Sequence, residues 1–337
     1  MIWILVGMFS CAILYAGDPR WESSEFLWDF GLILGCDQGL SQGPVEYFEK
    51  DVFDKKAYKE IAKGDVVWVK SCFVKRFYKK VLPSIKHPFV LVISDGDESF
   101  PSNSRLGEEI ESFINHKKIL HIFAQNCDYR GPSKKVSPLP IGVDFHTLAY
   151  KPAGHHWGQK ATPSEQEAAL KALLQTLKPT NQRKKRAFAD FQHHDSMALY
   201  SFRRDLEFGE NRTSIFERLK KTDLVDYGKE MPRAELWKIK GEYAFSISPH
   251  GNGLDCHRTW EDLILGCIVI VKASPLDPLY KDLPVVIVND WSEVTEDNLA
   301  KWLEQYKDAF TNPSYRSKLT NAYWLNQIRI VSEAKGS

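Results

Sequence analysis

An α/β protein with two domains built on parallel sheets is predicted for this chain, on three observations. Short apolar strands alternate with helical segments at the pitch of βαβ units. The 337 residues exceed one ordinary domain and suit two of roughly 150 residues each. One segment, residues 248–271 (SPHGNGLDCHRTWEDLILGCIVIV), follows a strand with a glycine turn, a helix and a second apolar strand, the order of a ligand-binding βαβ unit.

The elements follow in order. Asp65–Lys70 reads as a buried strand and Ser71–Leu82 as a helix stopped by Pro83. His87–Ser94 is a stronger strand that runs into the acidic turn Asp95-Gly96-Asp97-Glu98. Gly107–Asn115 reads as a helix, Ile119–Ala124 as a strand and Pro138–Val143 as a further apolar piece. Between Lys151 and Arg186 the rhythm breaks, with Pro152, Gly154, Pro163, Pro179 and a helix over Ser164–Leu177, in which Ser164 is the expected cap and Glu167 its capping-box partner. Alternation resumes with a strand at Ala187–Phe191, helical stretches through Leu206 and over Thr213–Lys221, and strands at Tyr243–Ser248 and Val285–Val288. A capped helix is expected over Thr295–Ala309 and another over Pro313–Val331. The expected domains are therefore 18–180 and 181–310, with 311–337 a C-terminal helix that folds back on the first.

Composition narrows the function. Forty-five Lys plus Arg against 44 Asp plus Glu leave a net charge of +1, so the chain has no general attraction for nucleic acid, and anion recognition must be local. The basic run Arg183–Arg186 lacks interleaved aromatics and reads as a solvated start to the second domain. Residues 2–16 are almost wholly apolar, which predicts a signal peptide or short membrane anchor in residues 1–17 and so a membrane-associated, secretory-pathway or envelope location. Six scattered cysteines form no CxxC pair, and the sequon Asn211-Arg212-Thr213 is an acceptor only inside a eukaryotic secretory lumen. His155-His156, His193-His194 and His257 lack the spacing of metal ligands. Most of the 10 Trp and 19 Phe are expected in the core, with some free to stack on sugar rings.

The chemistry concentrates in residues 248–271. Asp255 is the expected N-cap, with the helix starting at Cys256. Trp260, Leu263, Ile264 and Cys267 then form a buried stripe at i, i+3, i+4 and i+7. Arg258 and Glu261 fall on the opposite face, one turn apart. There a guanidinium can grip a diphosphate with two prongs and a carboxylate can accept both ribose hydroxyls. The glycines let backbone approach a ligand closely, and a helix N-terminus favours phosphate. His250-Gly251-Asn252-Gly253 is similar to the oxyanion-hole turn of lipases, but a hydrolase is set aside for lack of a nucleophile elbow.

The segment resembles the donor-binding signature of exostosin-like glycosyltransferases in Ser248-Pro249, Gly251 to Gly253, Arg258-Thr259-Trp260-Glu261 and Gly266-Cys267-Ile268-Val269-Ile270. Val269 stands where that family often has proline. Phe188–Phe191 followed by Arg203-Arg204 resembles the family's strand-then-arginine element, while FAQN (Phe123–Asn126) and LPIGVD (Leu139–Asp144) are looser likenesses. The resemblance implies a GT-B architecture, two Rossmann-like domains facing a cleft. It also implies an inverting enzyme that moves a sugar from a nucleotide-diphosphate sugar, UDP-sugar favoured, to a glycan or other hydroxyl acceptor, without cofactor or divalent metal. Donor-binding roles then fall to Ser248, His250, Gly251, Asn252, Gly253, Arg258, Glu261 and one of Arg203 and Arg204. Asp97, at the carboxyl end of a first-domain strand, is the expected catalytic base. Two alternatives stand beside this reading. One is an inactive glycan-binding module of the same fold. The other is a metal-dependent GT-A transferase that uses Asp95-Gly96-Asp97 as a DxD motif.

Overall fold

Val66–Lys70, Phe89–Ser94 and Ile119–Ala124 are apolar on both faces, the composition of strands inside a parallel sheet. A computed structural model, which describes residues 24–39, 53–150, 155–193 and 212–336, has them there. The described residues form two compact units. The first is drawn from Met1–Ala153, Lys160–Gln166 and Thr320–Ser337, and the second from Gly154–Gln159 and Glu167–Leu319.

The first unit contains α1 (Asp29–Ile33), β1 (Val66–Lys70), α2 (Val74–Lys80), β2 (Phe89–Ser94), α3 (Ile110–Ile114), β3 (Ile119–Ala124), β4 (Val136–Pro138) and α4 (His146–Tyr150). Its four strands pair in parallel in the order β1-β2-β3-β4, with Trp68 beside Val92 and Ile122 beside Val136. The fourth strand comes before the expected apolar piece at 138–143, because Val136 pairs with β3 while residues beyond Pro138 leave the sheet. Helix α5 (Pro163–Leu174) spans the change of unit, so the chain passes to the second unit ahead of the expected position near 180. Its cap is Thr162 rather than Ser164: the Thr162 hydroxyl accepts from the Glu165 amide at 3.3 Å, and the Glu165 carboxylate accepts from the Thr162 amide at 2.8 Å. Glu167 pairs with Lys171 instead.

The second unit continues with β5 (Lys184–Ala189), α6 (Arg212–Leu219), β6 (Val225–Tyr227), α7 (Arg233–Lys240), β7 (Tyr243–Ile247), α8 (His257–Ile264), β8 (Ile268–Lys272), β9 (Val285–Val288), α9 (Glu296–Gln305) and α10 (Pro313–Ser317). Lys184 to Arg186 of the basic run form the first half of β5, where Lys184 pairs with Glu242 and Arg186 with Asp226. Sequence pattern does not reveal β6 or α7. The strand is three residues long, and the helix buries Arg233, Trp237 and Lys240, a stripe in which two of three positions are charged. Phe245, Ile247, Ile268, Ile270, Val286, Val288 and Trp291 form the core around this sheet. Gly266, at φ 81°, makes the turn from α8 to β8, a conformation that a side chain disfavours.

The last helix, α11 (Asn321–Gly336), belongs to the first unit, as the expected return of the C-terminus requires. Asn321 and Arg329 are among the side chains that hold it. Asn321 accepts from the Trp28 amide at 3.1 Å and donates to the Ser24 and Phe26 carbonyls at 2.9 and 2.8 Å. Arg329 grips Asp37 with both terminal nitrogens, at 2.5 and 2.8 Å. Among the described residues no helix is long and apolar enough to cross a membrane. Residues 2–16, where the anchor is expected, lie outside the described residues, as do Cys11 and Asn211.

Helix α11 also brings Lys335 to the buried His121 of β3, 3.3 Å from Nδ1, while Nε2 lies 2.8 Å from the Ser137 hydroxyl. A lysine can only donate, so Nδ1 accepts and the proton sits on Nε2. Burial, then Lys335 and Lys135, push the His121 pKa down to about 4 from 6.5. Between those values the unfolded chain binds the proton and the folded one does not, so stability falls as pH drops through that window. Replacing His121 with Asn is expected to flatten the fall of the urea midpoint between pH 7 and pH 4.5 relative to the parent. Identical slopes for the two proteins contradict this account.

Candidate functional site

The second sheet has the order β6-β5-β7-β8-β9. From β5 the chain moves outward to β6, then crosses back so that β7 pairs with the other side of β5. The direction of winding therefore reverses between β5 and β7. At such a switch point the loops after the two strands diverge and leave a crevice beyond their carboxyl ends, where ligands bind in open α/β sheets. The loop after β5 supplies Asp190 and Gln192, and the loop after β7 supplies Ser248 to Cys256.

Arginines from two helices enter this crevice. Arg258, in the first turn of α8, donates from Nε to Asp190, and its buried Nη1 has no hydrogen-bond partner among the described residues. Arg212 opens α6 and spans both loops. It donates to the His250 carbonyl at 2.8 Å and the Gln192 carbonyl at 3.5 Å, and its third nitrogen lies 3.8 Å from the Cys256 sulfur. Gly251 makes this possible, because a Cβ there would lie 2.8 Å from the Arg212 guanidinium. Burial, then the like charge of Arg258, push the Arg212 pKa down, so these two cations face each other at a cost that an anion would relieve.

Below the arginines lies a buried ionic chain. Lys240, 1% exposed, reaches Asp190 at 2.8 Å and Asp262 at 2.7 Å, and Asp262 also accepts from the Ser246 hydroxyl. Burial works against the Asp190 carboxylate, but Lys240 and Arg258 hold its pKa well below the ordinary range. For Asp262 burial dominates and pushes the carboxyl up to about 6, with Lys240 opposing and Asp190 adding to the rise. Three cations, Arg212, Lys240 and Arg258, thus face two carboxylates, Asp190 and Asp262. The crevice carries net positive charge, which suits a phosphate group.

The predicted site residues fall into three groups. Arg258, His250, Gly251 and Asn252 lie at the crevice, with the imidazole Nδ1 of His250 bonded to the Leu254 carbonyl at 2.8 Å and the turn closed from the Gly251 amide to the Gly253 carbonyl at 3.0 Å. Ser248 and Gly253 are buried, and the Ser248 hydroxyl ties the loop to Thr259 at 2.8 Å, so Ser248 shapes the turn from within. Glu261 departs from expectation. It is 7% exposed, with one oxygen on Arg233 and the other 3.1 Å from the Trp237 indole nitrogen. The face of α8 expected to meet solvent is covered by α7, which sequence pattern does not reveal. Asp255 is likewise not the cap. Both its oxygens take the Trp260 indole N–H, at 3.0 and 2.9 Å, and the helix starts one residue later than expected, at His257.

Arg203 and Arg204 lie outside the described residues. The second guanidinium at the crevice is Arg212, which the sequence offers only as the middle of a sequon. Its one local signal is a place at the start of a helix that follows a strand. In the first unit the acidic turn lies at the carboxyl end of β2, as expected. Asp97 is exposed, Asp95 pairs with Lys70 at 3.0 Å, and Glu98 accepts from the Ser71 hydroxyl at 2.7 Å. The pentapeptide Gly39-Leu40-Ser41-Gln42-Gly43 does spell Gly-x-Ser-x-Gly, contrary to the expectation that no elbow exists. A nucleophile elbow must follow a strand; Gly39 follows only an isolated bridge at Gln38, and Ser41 lies outside the described residues.

Neither a protein-family model nor a curated protein matches this sequence. Solved structures similar to the chain include the catalytic domain of starch synthase IV from Arabidopsis thaliana bound to ADP and acarbose, at 12% identity and a TM-score of 0.35 over 81% of this chain and 73% of that one. A UDP-forming α,α-trehalose-phosphate synthase from Burkholderia vietnamiensis aligns at 13% identity and a TM-score of 0.38, over 81% and 72% of the two chains. A structure from E. coli described as trehalose-6-phosphate bound with UDP-2-fluoro glucose aligns at 11% identity and a TM-score of 0.33, over 81% and 72%.

Proposed function

We propose that the chain is a glycosyltransferase of the exostosin-like, GT-B kind that transfers a sugar from a nucleotide-diphosphate donor to a glycan or other hydroxyl acceptor. The observation that carries this reading is the pair of guanidiniums, Arg212 and Arg258, at the switch point of the second sheet, with the Arg258 Nη1 buried and unpartnered among the described residues. A diphosphate supplies the missing acceptor and relieves the repulsion between the two cations.

In the reaction the bond between the sugar C1 and the diphosphate oxygen breaks, and its electron pair stays on the phosphate. The acceptor oxygen bonds to C1 from the opposite face, which inverts the centre, and its proton passes to a carboxylate, for which Asp97 is the nominee. Arg258, Arg212 and the N-terminus of α8 stabilise the charge that grows on the leaving diphosphate without a divalent ion. The ion pair of Asp95 with Lys70 disfavours the alternative in which Asp95 and Asp97 hold a metal. Passage into a secretory or envelope compartment through residues 2–16 is part of the same reading.

The test is release of nucleoside diphosphate from a panel of UDP- and GDP-sugars, with and without EDTA. Turnover with at least one donor, undiminished by EDTA, is expected. Loss of turnover in EDTA would sink the metal-free mechanism, and donor binding with no turnover on any sugar would favour the inactive glycan-binding module.

A further inference from the structure

Trp28, Trp68, Trp237, Trp260, Trp291 and Trp302 are buried, whereas among the described tryptophans Trp157 and Trp324 keep part of their surface. Trp324 lies on α11 of the first unit. Trp157 lies in the second, and it is held in place with care. The Arg233 amide donates to the Trp157 carbonyl at 2.8 Å, and the Arg233 guanidinium lies over the indole with its carbon 5.2 Å from the ring centre. The same guanidinium carbon lies 4.8 Å from the ring centre of Trp237, and Glu261 anchors it. Both partners of the ion pair are buried, with side chains 5% and 9% exposed. A fully covered Arg–Glu pair thus fixes a half-exposed aromatic ring, an arrangement that core packing alone does not call for.

Position gives this ring a use. Arg233 opens α7, which follows the parallel strand β6, so it lies at the carboxyl end of the sheet. Its anchor Glu261 is three residues along α8 from Arg258, about 4.5 Å of helix rise. We propose that Trp157 is the platform on which the nucleobase of the donor stacks, and that Arg233 and Glu261 are positioning residues that hold it. The proposal rests on the diphosphate reading of Arg258 and Arg212. It replaces direct contact between Glu261 and the ribose with an indirect role, because both Glu261 oxygens already accept from Arg233 and Trp237. Every nucleobase has a π face for an indole to cover, and a ring fixed before binding loses little entropy when the base arrives.

Calorimetric titration of the full chain with inorganic pyrophosphate and with UDP, GDP, ADP and CDP separates the two ideas. The parent protein should bind at least one nucleoside diphosphate about tenfold or more tightly than pyrophosphate. Trp157→Ala should weaken that nucleotide by about tenfold, the scale of one base–aromatic stack, and leave pyrophosphate unchanged, while Trp157→Phe keeps most of the affinity. Unchanged nucleotide affinity in Trp157→Ala, or an equal loss for pyrophosphate, overturns the platform. Pyrophosphate binding with no nucleotide bound more tightly overturns it too and leaves the diphosphate site standing. Failure of the parent to bind any of these ligands removes the donor reading and the platform with it.

Discussion

Replacing Arg258 with alanine is expected to weaken binding of nucleoside diphosphate by about 1.5–3 kcal/mol, the usual scale for a hydrogen bond to a charged group. The direction follows from the crevice. Arg258 holds one nitrogen on Asp190 and presents another, buried, without a partner among the described residues. Without it Asp190 keeps only Lys240 as an ion-pair partner among the described residues, and the crevice loses the positive charge of Arg258. Pyrophosphate should weaken together with the nucleotide, which distinguishes this variant from a change at Trp157. Arg212→Ala should act in the same direction, and the two losses should not add, because the guanidiniums repel each other and share one ligand. Titration calorimetry on the single and double variants, with thermal unfolding to confirm the fold, measures both effects. Undiminished affinity in Arg258→Ala for both ligands rejects the site.

Replacing Lys240 with methionine is expected to cost about 3–5 kcal/mol of folding stability at pH 7, the range for removing one partner of a buried ion pair. Lys240 lies between Asp190 and Asp262, and its loss leaves both carboxylates buried with weaker compensation. The pH dependence carries the diagnosis. Asp262 already has a raised pKa of about 6, so its folded form binds a proton more readily than the unfolded chain, and ionising it at higher pH costs stability. Losing the nearby ammonium raises that pKa further. The deficit of Lys240→Met should therefore shrink as pH falls from 7 to 5, where Asp262 becomes neutral. Asp190 has the opposite sign: its contribution is present above the ordinary carboxylate pKa and is lost as pH falls toward its depressed folded value. Adding Asp262→Asn to Lys240→Met should restore part of the stability. Guanidinium unfolding midpoints at both pH values test this, and a deficit that does not change with pH removes Asp262 from the explanation.

The strands Ile119–Ala124 and Val285–Val288 coincide with the expected ranges, and Tyr243–Ile247 and Val66–Lys70 come within a residue. Each is a continuous apolar run bounded by polar or turn residues, a signal carried by its own few positions. The same holds for the turn and helix after β7. Arg258 could be picked out there because a cation in the first turn of a helix, behind a glycine turn, is unusual in isolation. Helix α7 could not be found this way. Its buried stripe carries Arg233 and Lys240, and hydrophobic periodicity cannot register a face whose burial depends on carboxylates elsewhere in the chain.

Residue order alone therefore carries the alternation of strand and helix, the parallel sheets, the terminal helix and the glycine turn that precedes Arg258, because these depend on neighbours within a few positions. Long-range contacts settle what each charge does. Asp190, Arg212 and the α7 pair Arg233 and Lys240 reach the crevice or its support from three separate segments, and no local pattern joins these segments. Glu261 is the clearest instance. Its spacing from Arg258 assigns it to an open helix face, yet α7 covers that face, and the desolvated carboxylate takes Arg233 and Trp237 as partners because water is excluded from both.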